Sequence, residues 1–129
     1  MGKEVDPADV PLPGRPVRGS SSGRPIMAAL NLLSRRWVLR VLWELREGPS
    51  GFREMRARCD GMSPDTLSTR LQELQLAGLV RREEDATWRL TELGESLRPA
   101  MIALEEWARH WARLVERGEI PATRDETTG

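Results

Sequence analysis

The run from Gly61 to Arg82, Gly-Met-Ser-Pro-Asp-Thr-Leu-Ser-Thr-Arg-Leu-Gln-Glu-Leu-Gln-Leu-Ala-Gly-Leu-Val-Arg-Arg, constrains this chain most, because it signals both ends of one helix and the start of a strand. Ser63 is a good N-cap, since its hydroxyl can accept from free N–H groups of the first turn, and Pro64 suits the first helical position, which needs no N–H. Gly78 supplies the stop. Leu67, Leu71 and Leu74 recur at helical spacing and predict a buried stripe. Thr66, Thr69, Arg70 and Glu73 are read as the opposite, polar face. Small hydroxyls and an arginine suit base edges and phosphates better than the interleaved Lys and Glu of a purely structural helix.

Beyond that helix, Leu79 to Glu84 reads as a strand, Asp85-Ala86 as a tight turn, and Thr87 to Thr91 as a second strand. Thr91 can cap a further long helix from Glu92. Upstream, Ile26, Leu30 and Leu33 predict a first amphipathic helix. A second runs from about Trp37 to Glu47 and is ended by Gly48-Pro49, and a short third runs from Phe52 to Cys59. The expected fold is mainly α with a small β-hairpin wing: a winged helix-turn-helix with N- and C-terminal dimerisation helices.

Residues 1–23 are rich in Pro, Gly and Ser and read as a disordered arm, whose Arg15 and Arg18 could reach a minor groove. Residues 24–118 form the DNA-binding and dimerisation domain, and 119–129 a flexible tail. A chain of 129 residues suffices for one such domain without disulfides or metal. Lone Cys59 excludes an intrachain disulfide, and the lack of a long apolar run predicts a cytoplasmic protein with no membrane partner.

The formal charge is zero overall but uneven. From Arg35 to Arg58 seven arginines face three glutamates, a net of +4, whereas from Glu92 to Arg117 four arginines face five glutamates, a net of −1. The helices before the Ser63 helix are suited to phosphates and the last one to protein. That last helix, about 39 Å if continuous, carries a seam through Leu97, Ala100, Leu104, Trp107, Trp111 and Leu114, and Pro99 should kink or split it. Its far end needs a partner. A second copy of the chain is the natural candidate, with Ile26, Leu30 and Leu33 as the complementary stripe.

Taken together, Arg24-Pro-Ile-Met-Ala-Ala-Leu-Asn-Leu-Leu-Ser-Arg-Arg-Trp37, Gly48-Pro-Ser-Gly-Phe-Arg-Glu-Met55, Met62-Ser-Pro-Asp-Thr-Leu-Ser-Thr-Arg-Leu-Gln-Glu-Leu74, Gly78-Leu-Val-Arg-Arg82 and Leu90-Thr-Glu-Leu-Gly-Glu-Ser-Leu-Arg-Pro-Ala-Met101 with Trp107 resemble the HxlR family of bacterial transcriptional regulators. The resemblance implies a homodimer with the Ser63 helix in the major groove of double-stranded DNA. Some members of that family carry a redox cysteine just before the first helix, where this chain has Arg24, so that sensing mechanism should be absent unless Cys59 replaces it. The family's wing is usually longer than this one.

The expected DNA-contacting residues are Arg36, Arg53, Ser63, Pro64, Asp65, Thr66, Thr69, Arg70, Arg82 and Arg89. For Arg70 the alternative is a salt bridge to Glu73 or Asp65. Asp65 is read chiefly as favouring the helix N-terminus. The expected dimer interface is Ile26, Leu30, Leu33, Leu104, Trp107, Trp111 and Leu114. Cys59, beside Arg56 and Arg58, is either oxidisable or a small filler. No cofactor or metal site is read: His110 has no second ligand at suitable spacing, and no nucleophile or carboxylate pair suggests an enzyme. A small-molecule effector is left open. The competing function is a winged helix that binds protein rather than DNA.

Overall fold

The computed structural model describes residues 4–121, and the chain divides into two compact units after Ser96. In the first, α1 (Pro25–Leu33) is followed by α2 (Val38–Leu45), α3 (Phe52–Arg58) and α4 (Pro64–Leu76). Then come β1 (Val80–Arg82), β2 (Trp88–Leu90) and the short α5 (Glu92–Glu95). The second unit contains α6 (Arg98–Glu116). This is the winged helix-turn-helix expected from sequence, with both dimerisation helices left to be tested by assembly.

The core collects the apolar stripes of successive helices. Val38, Val41, Leu42 and Leu45 of α2, Met55 of α3, Leu67, Leu71 and Leu74 of α4, and Val80 and Leu90 of the hairpin are all buried. Trp37 lies outside α2, because its φ of 76° is left-handed and cannot continue a right-handed helix. The Ser63 hydroxyl accepts from the Thr66 N–H at 3.1 Å, and Gly78 takes φ 90° just beyond α4. Both ends of the helix thus lie where local chemistry places them.

The expected long C-terminal helix is split. Thr91 caps α5 by accepting from the Gly94 N–H at 3.1 Å, and α6 starts afresh with Pro99 in its first turn, where a missing N–H costs no helical bond. Gly94 is required sterically, since a Cβ there would overlap the Leu79 carbonyl oxygen.

The N-terminal segment, expected as a disordered arm, carries local structure over its described residues. Residues 7–9 form a 3-10 turn capped by the Asp6 carboxylate, Val10 and Pro11 are buried, and Val17 and Ser20 exchange backbone hydrogen bonds. Arg15 donates to the carbonyls of Pro7 and Val10 at 2.7 and 3.0 Å. A few apolar residues suffice because arginines satisfy the turning backbone. Arg15 is thereby committed within the segment rather than presented to a groove. Residues 1–3 of the arm and 122–129 of the tail lie outside the described residues.

The wing also differs in a way that matters. Its loop is Glu84-Asp85-Ala86, closed by Glu83 N–H to Thr87 O at 2.7 Å, with Ala86 at φ 70°. The resulting register pairs Val80 with Leu90, Arg81 with Arg89 and Arg82 with Trp88. A two-residue Asp85-Ala86 turn would have shifted pairing by one and set Arg82 opposite Arg89. With three loop residues those two arginines lie on opposite faces. Trp88 also exchanges both backbone bonds with Ser50, which ties the α2–α3 link to the wing.

Candidate nucleic-acid interface

At about 100° per residue, the direction opposite the leucine stripe of α4 passes through Asp65, Thr69, Gln72 and Leu76. Arg70 and Glu73 lie on its flank, and their side chains turn inward. Glu73 is only 6% exposed and accepts from two guanidinium groups, Arg70 at 2.7 Å and Arg35 at 2.9 Å. Arg70 also donates from Nε to the Arg36 carbonyl at 2.7 Å. The structure therefore corrects two expectations: Glu73 is not on the solvent face, and Arg70 makes the salt bridge that was its alternative role. A buried carboxylate needs such compensation. Arg35–Glu73–Arg70 thus fixes α4 against the α1–α2 link and leaves no arginine projecting from the middle of its outward face.

The N-terminal end of α4 is more suited to contact. Ser63, Pro64 and Asp65 are exposed, and the Ser63 hydroxyl donates to Thr66 Oγ1 at 2.9 Å while accepting the capping bond. Thr66 is thus part of the cap, with its own hydroxyl proton left to donate outward. An open cleft of about 840 Å³ there has Arg53, Arg56, Asp60, Ser63 and Pro64 in its lining. Arg53, exposed on the first turn of α3, also lines a second open cleft of about 750 Å³ with Ser68, Gln72 and Gln75 of α4 and Arg82 of the wing.

Of the expected contact residues, Arg53, Ser63, Pro64 and Arg82 are thus brought to the edges of α4. Arg36 is exposed, with its guanidinium 5.8 Å from the Trp37 ring. Arg89 is on the other wing face beside Arg81, with Glu83 2.7 Å from Arg81 and 4.0 Å from Arg89. Arg56, Ser68, Gln72 and Gln75, not among the expected contact residues, line the same clefts. The last three were legible from the helical wheel, since they lie between the outward direction and the wing. At the wing tip Asp85 accepts from the Thr87 hydroxyl at 2.7 Å and its N–H at 3.1 Å, and these bonds hold its carboxyl below the usual range.

Cys59 is fully buried, and desolvation pushes its thiol up, opposed by Arg40 and Arg58. Of the two expected roles, burial disfavours the oxidisable thiol, because oxidation needs an accessible thiolate. Filler is the role its setting supports.

The expected dimer residues carry the opposite signature. Ile26 and Leu30 of α1 are 56% and 53% exposed, and Trp107 and Trp111 of α6 are 54% and 50% exposed. Leu104 is exposed as well, while Leu33 and Leu114 are half-buried. The rings of Trp107 and Trp111 lie 5.2 Å apart at 34°.

A helix-turn-helix followed by an antiparallel wing, with basic residues beside a serine-capped helix, defines a winged helix-turn-helix protein. The family described as HxlR-like helix-turn-helix matches residues 32–116, and the chain belongs to that family. It is 34% identical over 89 residues to YvaP of Bacillus subtilis (strain 168), an uncharacterized HTH-type transcriptional regulator, covering 64% of this chain and 82% of that one. It is 30% identical over 108 residues to YtfH of Escherichia coli (strain K12), named in the same way, covering 79% and 82%. Among solved structures, quinone-bound YodB from B. subtilis superposes with a TM-score of 0.62 at 29% identity, over 66% of this chain and 94% of that one. The chain is thus a DNA-binding transcriptional regulator by family. No helix among the described residues is long and apolar enough to cross a membrane.

Proposed function

We propose that this chain is a homodimeric repressor that reads a palindromic operator through α4. The observation that carries the reading is the N-terminal end of α4, where a Ser63-capped helix terminus with exposed Pro64 and Asp65 lies beside Arg53 and Arg56. Helix N–H groups and guanidinium groups there can hold the phosphate backbone. Thr66, Ser68, Thr69 and Gln72 then face the base edges, where glutamine suits adenine and a threonine methyl suits thymine. Arg36 and Arg82 are the flanking phosphate ligands, and Arg89 reaches DNA only from the outer wing face. Arg70 acts by positioning α4 through Glu73.

In a dimer joined through the exposed stripes of α1 and α6, two such helices would enter successive major grooves about 34–36 Å apart. A small-molecule effector fits this reading, since the related YodB has been crystallised with a quinone. Cys59 is too buried to serve as the chain's own sensor.

Fluorescence anisotropy against the DNA upstream of its own gene tests the proposal. Preference over random duplex, falling steeply with salt, is expected. Binding that shows no sequence preference contradicts it. The competing protein-interaction reading draws on the exposed Trp107 and Trp111, and it requires a contact that salt barely weakens.

A further inference from the structure

We propose that residues 4–9 form an acidic strap across α4, which DNA must displace. The Val5 N–H donates to Gln72 Oε1 at 3.0 Å, on the wing side of α4. On the other flank, Arg35 binds Glu73 and also donates to the Asp9 carbonyl at 3.0 Å. Gln72 and Glu73 straddle the outward direction of the helix. The long way round between them is filled by the core, so the segment from Val5 to Asp9 passes over the solvent side near Thr69 and Leu76. Downstream it is anchored by buried Val10 and Pro11 and by Arg15 on the carbonyls of Pro7 and Val10.

The chemistry of the strap opposes DNA. Glu4, Asp6 and Asp9 are exposed carboxylates, and no basic residue lies among positions 4–9. They stand where a duplex seated on α4 brings phosphates, so the strap blocks the reading face by bulk and repels it by charge. Its hold on Gln72 also occupies one of the amides proposed to read bases. Lifting it needs the loss of the Val5 and Asp9 hydrogen bonds and of the Arg15 bond to the Pro7 carbonyl, while Val10 and Pro11 can stay in place. The strap is therefore a weak internal competitor, one that a cognate duplex overcomes more readily than a random one.

This inference rests on the α4 reading of DNA, and one set of titrations separates the two. In the full chain, Val5→Pro removes the donor to Gln72 without changing charge, and the triple variant Glu4→Gln, Asp6→Asn, Asp9→Asn keeps the 3-10 cap but removes the carboxylates. Anisotropy with a labelled duplex from the upstream region should show about threefold tighter binding for Val5→Pro. It should show about tenfold tighter binding for the triple variant at low salt, with the gain shrinking as salt rises. Hydrogen exchange at the Val5 amide should be slow in the free protein and fast in the complex. If wild type binds its duplex and neither variant binds more tightly, or Val5 stays protected in the complex, the strap is wrong and the DNA reading stands. If no form binds any duplex, the DNA reading itself fails and the strap with it.

Discussion

Helices α4 and α6 are both amphipathic, yet their apolar stripes meet opposite fates. Leu67, Leu71 and Leu74 of α4 are buried within the chain, and polar groups are left facing out. Leu104, Trp107 and Trp111 of α6 are about half exposed, with charged residues such as Glu105 and Arg109 paired alongside them at 2.9 Å. The same helical periodicity therefore ends in a buried stripe in one helix and an open one in the other. A stripe satisfied within the chain frees the other face for a polar ligand, whereas a stripe left open calls for protein.

The contrast is broken most severely in the core. Leu71→Ala should destabilise the fold by about 2–5 kcal/mol, read from the denaturant midpoint, because it leaves a cavity under the reading helix. Trp107→Ala and Trp111→Ala should scarcely move the monomer's stability but weaken self-association, by about 2 kcal/mol if either is a hot spot. Sedimentation showing an unchanged dimer would reassign the interface. A large loss of folding stability in the tryptophan variants would show that the α6 stripe, like that of α4, is satisfied within one chain.

Arg70→Ala sharpens the polar side of the comparison. It leaves Glu73 with one guanidinium partner instead of two, and it should cost about 1–3 kcal/mol of stability. DNA affinity should fall evenly across single-base variants of the site, the mark of a positioning residue. A loss concentrated at one base pair would restore Arg70 to base reading. The smallest effect belongs to the wing: Ala86→Gly relieves a positive φ and should raise stability by about 0.5–1 kcal/mol in thermal melts.

What could be read from sequence divides by range. Caps act within one turn, so Ser63, Pro64, Gly78, Thr91 and the helix break near Pro99 were all legible. The Arg70–Glu73 pair was legible as an alternative, but its inward turn was not, because the carboxylate is shared with Arg35, 38 positions before Glu73. The arm's structure was hidden for the same reason: Gln72 and Arg35 hold it from afar, and its buried Val10 and Pro11 are too few to read as a hydrophobic run. The wing failed through one residue of loop length, which moved Arg89 to the other face. For Cys59 the sequence left two roles open, an oxidisable thiol beside arginines or a small filler, and burial in the fold favours the second.

The most direct test of the account is to measure Thr69→Ala against the operator and every single-base variant of it by competition anisotropy. Thr69 lies at the centre of the outward face of α4, half exposed, and carries no structural burden in the core. The account predicts that Thr69→Ala stays folded and dimeric and loses discrimination at one base-pair position in each half-site, by about 1 kcal/mol or more. Unchanged discrimination at every position would contradict it, and would mean that this face of α4 does not read DNA.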